Sequence, residues 1–323
     1  MSNKFISTTS AFLLSTSILV ADIPKVTVDI APVHSLVSKV MNGVGKPDLI
    51  IPAGASPHEY QLKPSNAKSL QNADIVFWIG EDLTPWLEKG LSSLAQDASI
   101  TSLLEVNGVE LLSFREGALF EAHDHGEDHD DHDDHDHDKK KHDDHDDHDD
   151  HAHGEHDPHA WLSPQIAKIW LNVIAAKLSE VDPDNAAKYF SNAKSARDNV
   201  DSLVSEVNSI LDPIRDKKFV VFHDAYQYFE RDFGISASGA ISLGDASDPS
   251  PARLSEIRRR VVDEAVQCVL AEPQYDPGLV KSVVEGTDAK TTVIDPLGVS
   301  LETGPNLYEN LIRNLATNLA KCF

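Results

Sequence analysis

Residues 184–211 read DNAAKYFSNAKSARDNVDSLVSEVNSIL, and this stretch decides how the chain is organised. Apolar residues recur along it every three to four positions, from Ala187 and Phe190 to Leu211, as on the buried face of a helix. No Gly or Pro interrupts the pattern. One helix of ~28 residues would extend about 42 Å, long enough to brace two lobes. Two helices with a break near Asn199 are the alternative.

Short apolar runs alternate with helical patterns on both sides of this stretch. Fully apolar runs such as IVFWIG (75–80) and FVVF (219–222) are typical of strands buried in parallel sheets. The sequence therefore predicts an α/β protein with two lobes, each a mostly parallel sheet flanked by helices. We expect an N-terminal lobe at 22–182, a linker helix at 183–213 and a C-terminal lobe at 214–323.

The individual elements follow from the same patterns and from turn residues. The predicted strands are 25–31, 48–52, 75–80, 219–222, 235–241, 267–271 and 291–294. The predicted helices besides the long one are 34–41, 64–71, 85–94, 252–264, 277–285 and 307–320, with one more ending near Leu178.

Residues 1–21 predict a secretory signal peptide. Lys4 supplies the positive start, and the apolar run AFLLSTSILV at 11–20 is too short to span a membrane as a stable helix. Ala21 is a small residue suited to cleavage. A buried first helix is the alternative, although the Asp-Ile-Pro that follows does not continue one. With no cysteine near the cut for a lipid anchor, we expect a free periplasmic protein.

Residues 121–157 form a histidine-rich insert. They hold fifteen Asp and three Glu against three Lys, and twelve of the sixteen histidines. The insert carries much of the net charge of −25, which argues against nucleic acid and an anionic membrane surface as partners. Because it has almost no apolar residue, it cannot bury a core, and we expect it to be disordered without metal.

The composition of the insert predicts weak, multi-site metal collection. Neutral imidazoles with flanking carboxylates form many transient sites of two or three ligands. A solvated acidic linker is the alternative. The histidines of the insert are His123, His125, His129, His132, His135, His137, His142, His145, His148, His151, His153 and His156.

Four histidines lie outside the insert: His34, His58, His159 and His223. His58 sits in a Gly/Pro loop past a strand, His159 in a Pro-bounded loop before a helix, and His223 directly after FVVF. Asp295 likewise follows the strand TTVI. In open α/β sheets ligands bind beyond the carboxyl ends of strands. Two of these groups come from each half of the chain, which predicts a site in the cleft between the lobes.

The residue types at this site suit zinc. Borderline-soft Zn²⁺ takes imidazole nitrogen in a four-coordinate shell, whereas a harder ion wants more oxygen ligands. Glu59, next to His58, is a candidate to orient a ligand or touch the metal, and a solvated carboxylate is the alternative. For His34 a surface or capping role is favoured over ligation.

The two cysteines, Cys268 and Cys322, are predicted to form a disulfide. Export would permit one, and it would close a loop of about 55 residues. Two free thiols, one buried in a strand, are the alternative. Neither cysteine has a partner at CxxC-like spacing, which disfavours a zinc–thiolate site.

Five motifs together resemble those of the metal-specific solute-binding proteins of ABC transporters (cluster A-I), and within that family its zinc-uptake branch. They are GASPHEYQLKPS (54–65), DPHAWLSP (157–164), VFHDAYQYFE (221–230), AEPQ (271–274) and IDPLG (294–298). The resemblance runs from about residue 25 to residue 323, apart from the insert.

The resemblance implies two α/β lobes joined by a long rigid helix, with metal in the cleft. It implies His58, His159 and His223 as zinc ligands, with Asp295 in the fourth position or close to it behind a water. Manganese-type relatives carry a carboxylate where this chain has His223. Some zinc members have Glu directly before the first ligand histidine, where Pro57 stands here, so that ligand is unavailable.

A charged, histidine-rich loop is typical of the zinc branch, and the cysteine pair resembles one found in several of its members. The implied function is a periplasmic protein that captures Zn²⁺ and delivers it to an ABC permease with its cytoplasmic ATPase. We expect a monomer that neither inserts in the membrane nor catalyses a reaction.

Three alternatives are weighed against this function. A manganese-type member of the same family is disfavoured by His223. A periplasmic metal buffer without a transporter is barely separable by sequence. A zinc enzyme is disfavoured because the chain has no HExxH motif and no obvious base beside an open metal position.

Overall fold

The computed structural model describes residues 23–115, 120, 156–242 and 249–323. The predicted signal peptide and nearly all of the histidine-rich insert lie outside these residues, so neither prediction is tested. The strands are β1 Val26–Val28, β2 Asp48–Leu49, β3 Ile75–Trp78, β4 Ser99–Ser102, β5 Phe219–His223, β6 Ala240–Ser242, β7 Cys268–Ala271 and β8 Lys290–Val293.

The helices follow the strands along most of the chain, as expected for an α/β protein. They are α1 Ala31–Val40, α2 Pro64–Gln71, α3 Pro85–Leu94, α4 Pro164–Val181, α5 Ala186–Leu211, α6 Gln227–Phe233, α7 Pro251–Asp263, α8 Pro277–Val284 and α9 Leu307–Lys321. None of the helices in the described ranges combines the length and apolar composition needed to cross a membrane.

The strands form two four-stranded parallel sheets. The first has the order β2-β1-β3-β4 and the second β6-β5-β7-β8, and every pairing is parallel. The two sheets share one topology. In each, the strand that comes first in the chain, β1 or β5, is second in the spatial order. The predicted fold class, two parallel sheets flanked by helices with a long helix between them, is confirmed.

The long helix is continuous, so the alternative with a break near Asn199 is wrong. Its buried residues are Tyr189, Ala193, Ala196, Val200, Leu203, Val207 and Leu211. The prediction was wrong in the first turn, because Phe190 is 50% exposed and Tyr189 is buried instead. The Tyr189 hydroxyl donates to Asp182 Oδ2 at 2.7 Å, which satisfies the buried phenol.

Helix α5 packs against α4 and α1 from the first half of the chain and against α9 from the second. One apolar core runs through both sheets and these helices. A smaller cluster, which includes Val220, Phe222 and Ile257, packs α7 and α8 onto the second sheet. Because the main core crosses residues 182 and 213, the lobe boundaries at these positions stay a prediction.

Several elements differ from the sequence predictions for local reasons. Helix α1 begins at Ala31 rather than at residue 34, since Pro32 occupies its first turn, where the missing N–H costs nothing. Strand β4 was not predicted because SITS is polar and partly exposed. Helix α6 was not predicted because seven residues are too few to show a period.

Cys268 on β7 and Cys322 at the end of α9 form a disulfide, with their Cα atoms 5.9 Å apart. The predicted bridge is confirmed, and the alternative of two free thiols is wrong. The bridge ties α9 to the central part of the second sheet.

Asp29 is a fully buried carboxylate at the carboxyl end of β1. Its Oδ1 accepts from the Ile30 N–H and its Oδ2 from the Ile79 N–H, both at 2.7 Å, which links β1 to the residue after β3. Burial raises the pKa of Asp29 to about 7, although the two backbone donors oppose the rise.

Asp29 is expected to make the protein less stable as pH rises from about 4 to about 7. The folded state retains the Asp29 proton over this window and the unfolded state loses it. The contribution of Asp29 to the unfolding free energy should therefore fall by about 1.4 kcal/mol per pH unit and then level off. Urea unfolding of wild type and Asp29→Asn across this range should show that slope in wild type only.

The exposed Asp97→Asn variant is the control, and it should keep the wild-type slope. Parallel pH profiles for wild type and Asp29→Asn would contradict the assignment.

Candidate metal centre

A cavity of about 300 Å³ opens where the two halves of the chain meet. It is lined by residues from loops that follow the strands of both sheets, as open α/β sheets favour. The lining includes Ser56, Pro57, His58, Glu59, His159, Trp161, Phe222, His223, Pro249, Glu272, Gln274, Tyr275, Pro296 and Leu297. The structure thus brings the three predicted ligand histidines together.

Two of the three distances between the imidazole rings are close to the spacing that one ion requires. The ring centroids of His58 and His159 are 5.9 Å apart, and those of His159 and His223 are 5.3 Å apart. Three imidazoles on a tetrahedral zinc ion have ring centroids roughly 5 Å apart. Among the described residues no three His, Cys, Asp or Glu side chains lie close enough together to hold a metal ion as the rings stand, so ligation by all three histidines stays a prediction.

His159 is oriented by Asp157, two residues before it. The His159 backbone N–H and ring Nδ1–H both donate to Asp157 Oδ1, at 2.9 and 2.8 Å. Asp157 is fully buried. Because a carboxylate only accepts, the bond assigns the proton to Nδ1, and Nε2 then carries the lone pair that a metal needs.

His223 is oriented in the same way by Glu272. It is the last residue of β5 rather than the residue after it, and its Nδ1–H donates to Glu272 Oε1 at 2.7 Å. Glu272 follows β7, the neighbouring strand, and is buried. Burial first, and then the charge of Glu272, hold the pKa of the nearby Tyr226 well above its usual range.

His58 lies on the opposite wall, in the loop before α2. Its N–H donates to Ser56 Oγ at 3.2 Å, and its Nε2 atom is buried. Trp86 on α3 donates its indole N–H to the Pro57 carbonyl at 2.7 Å. The loop that carries His58 is therefore fixed from the body of the first half.

The structure places Asp295 differently from the three histidines. Its Oδ1 accepts from the N–H groups of Leu297 and Gly298 at 3.0 and 2.9 Å, and its Oδ2 from that of Val299 at 2.6 Å. Pro296 and Leu297 line the cavity, whereas Asp295 is not among the lining residues. Its role as a ligand stays a prediction, since its oxygens already hold the turn after β8.

The other predicted residues divide between cavity and surface. Glu59 is exposed at the cavity wall, and its role as a ligand or orienting group stays a prediction. His34 Nε2 lies 3.1 Å from the Pro47 carbonyl oxygen and His34 is not among the residues that line the cavity, so its predicted surface or capping role stays a prediction. Burial lowers the pKa of His34.

Only the last histidine of the insert, His156, lies within the described residues. It forms an antiparallel bridge with Ser113, and its Nδ1 is 3.8 Å from Asp82 Oδ2. The metal-collecting role of the other eleven is untested.

Sequence reasoning did not single out Asp157 and Glu272, although each lies in a quoted motif. Asp157 was counted within the insert, and Glu272 was noted only as part of AEPQ. The signal for Glu272 was an acid directly after the apolar strand CVLA. Nothing in sequence spacing indicates that it meets His223, 49 residues away.

The family model described as "Zinc-uptake complex component A periplasmic" matches residues 26–322. The high-affinity zinc uptake system protein ZnuA of Brucella abortus is 48% identical over 303 residues, covering 92% of this chain and 91% of that protein. The protein of the same name from Paracoccus denitrificans is 45% identical, covering 94% of this chain and 92% of its own.

Solved structures share the fold at lower sequence identity. A crystal structure of ZnuA superposes with a TM-score of 0.74 at 21% identity, covering 93% of this chain and 99% of that one. The solute-binding protein FpvC from Pseudomonas aeruginosa in complex with Mn²⁺ gives 0.73 at 19% identity, covering 93% and 98%. The fold is thus shared with a solute-binding protein whose structure was solved in complex with Mn²⁺.

Replacing Asp295 with Ala is expected to lower stability more than metal affinity. Three backbone N–H groups would lose a charged acceptor, which costs about 2 kcal/mol of unfolding free energy. Asp295→Asn keeps one acceptor oxygen, so its unfolding free energy should lie between that of wild type and that of Asp295→Ala. Urea unfolding of the metal-free protein and a zinc competition titration measure the two effects. Unchanged stability with affinity reduced more than about tenfold would make Asp295 a ligand instead.

Proposed function

The chain belongs to the family of periplasmic component A of zinc-uptake complexes, and from this premise we propose that it captures Zn²⁺ in the cavity and delivers it to an ABC permease. His58, His159 and His223 hold the ion. The observation that carries the proposal is the convergence of these imidazoles, from both halves of the chain, on one cavity.

Two buried carboxylates make this a site for a divalent cation. Asp157 and Glu272 each accept the Nδ1–H of a ligand histidine, which fixes the ring and raises the basicity of Nε2. Three nitrogen ligands favour zinc over manganese, which prefers oxygen. A manganese site would favour an oxygen ligand at position 223. The imidazole of His223 therefore supports zinc as the cargo.

The same arrangement supports binding and release rather than catalysis. A hydrolytic zinc site needs a base beside an open metal position. Of the acids that line the cavity, Glu272 is hydrogen-bonded to His223 and Glu59 is exposed. Asp157, which lies outside the lining, is hydrogen-bonded to His159. The family description and the predicted signal peptide both support a periplasmic location, where the cation is captured before transfer to the permease and its ATPase.

Ala substitution of His58, His159 or His223 is expected to weaken tight zinc binding by more than about tenfold, since even residues behind metal ligands contribute that much. Each change removes one nitrogen ligand. Competition titration against a chelator, on the full chain, measures the affinity. His34→Ala is the matched control and should bind as wild type. If His223→Ala kept wild-type affinity, the proposed ligand set would be wrong.

Deleting residues 121–155 is expected to lower zinc stoichiometry and leave the tight site intact. This deletion spares Asp157, and the adjacent positions of Ser113 and His156 allow a short connection. Calorimetry should give two phases for the full chain and one for the deletion. The weak phase should fade as pH falls through about 6.5, since protonated imidazole cannot ligate. Loss of the tight phase in the deletion would place the functional site in the insert.

A further inference from the structure

Residues 112–113, ahead of the histidine-rich insert, and residues 156–157, at its end, lie side by side on helix α6. Ser113 and His156 form an antiparallel bridge, and the Asp157 N–H donates to the Leu112 carbonyl at 2.8 Å. Helix α6 begins four residues after His223 and belongs to the second half of the chain. The segments before and after the insert, which belong to the first half of the chain, thus contact a helix of the second half.

Tyr228 on α6 holds both of these segments with one hydroxyl. The hydroxyl donates to the Asp157 carbonyl at 2.8 Å and accepts from the Leu112 N–H at 3.0 Å. The side chain is fully buried. Its neighbour Gln227 donates to the Ser113 carbonyl at 3.1 Å and to Asp157 Oδ2 at 3.2 Å. Asp157 is therefore held from α6 on its main chain and on its side chain.

Arg115 adds an ionic contact to the same helix. Its guanidinium donates to both oxygens of Asp224 and reaches Glu230 Oε2 at 2.8 Å and Oε1 at 3.0 Å. Asp224 and Glu230 are 3% and 4% exposed. Charges this deeply buried are costly unless paired, so the contact is strongly maintained.

These contacts end at two of the proposed zinc ligands. Tyr228 and Gln227 position Asp157, whose other oxygen orients His159. Arg115 binds Asp224, which directly follows His223 in the chain. The network between α6 and the ends of the insert therefore connects a histidine of the first half to a histidine of the second.

We propose that Tyr228, Gln227 and Arg115 are positioning residues that hold His159 at ligation distance from His223 and so slow the release of zinc. This inference rests on the ligand set proposed above. None of the three residues lines the cavity, so they act through Asp157 and Asp224. A less firmly held His159 leaves the number of ligands unchanged, but the ion should dissociate faster. Small losses of affinity within one site mostly appear in the dissociation rate.

The test is Tyr228→Phe, which removes only the hydroxyl. Loaded with one equivalent of Zn²⁺, the full chain should release it about five- to tenfold faster into excess chelator, because the two hydrogen bonds of the hydroxyl to Asp157 and Leu112 are lost. The association rate should barely change. Tyr308→Phe is the matched control, because Tyr308 is equally buried, lies outside the cavity and should release zinc as wild type.

A double-mutant cycle separates positioning from general loosening of the fold. In a His159→Ala background the Tyr228→Phe change should have no further effect on release, since its target is gone. Arg115→Lys, which keeps the charge but loses the fork, should speed release in wild type and add nothing in a His223→Ala background. Gln227→Ala should act like Tyr228→Phe with a smaller effect, and it carries the test if Tyr228→Phe does not fold.

Unchanged release in Tyr228→Phe, or an equal acceleration in the His159→Ala background, would overturn the positioning role while leaving the ligand set in place. Unchanged zinc binding in His159→Ala itself would instead overturn the ligand set, and the positioning role with it.

Discussion

The packing of α5 against helices from both halves of the chain is the constraint on which the site depends. Its buried face contacts α1, α4 and α9, so the apolar core is shared between the two sheets. Close-packed cores deform little. The sheets therefore keep their relative placement, and the loops beyond their strands form the walls of one cavity. Without this shared core, His58 and His223 would have no fixed distance between them.

Buried carboxylates fix the orientation and the tautomer of two of the cavity histidines. Asp157 and Glu272 are both buried, and each accepts a hydrogen bond from a histidine Nδ1–H with one oxygen. A histidine with this partner has its ring orientation and its tautomer fixed, with the lone pair on Nε2. The two acids thus fix two of the three histidines of the proposed zinc site in the tautomer that can bind a metal.

The sequence was most informative where one residue type carries a local rule. Helices α2 and α3 begin and end where predicted, because Pro64 and Pro85 mark their first turns and the apolar period does the rest. The long helix was predicted for the same reason, but its first turn was not, since Tyr189 buries its ring by bonding Asp182 through its hydroxyl. That bond depends on tertiary contact, which a periodic pattern does not contain.

The residues of the candidate site also divide into those that a local pattern predicts and those whose roles depend on distant contacts. The three histidines could be predicted, because each stands in a recognisable loop or strand end. Glu272, Tyr228 and Arg115 could not, because their roles depend on contacts with residues 49, 71 and 109 positions away along the chain. Asp295 shows what position alone leaves out: a place after a strand is typical of a ligand, but sequence does not reveal the three backbone N–H groups that bond its oxygens.

The adjacent ends of the insert have an evolutionary consequence. Since Ser113 and His156 are bridged, the rest of the fold fixes the two positions between which residues 114–155 are inserted. The entropy lost on closing such a loop grows only logarithmically with length, and a doubling costs about 0.6 kcal/mol. Histidines can therefore be gained or lost there by insertion and deletion at little cost to folding. The length and histidine content of the insert and the residues of the cavity are therefore free to evolve separately.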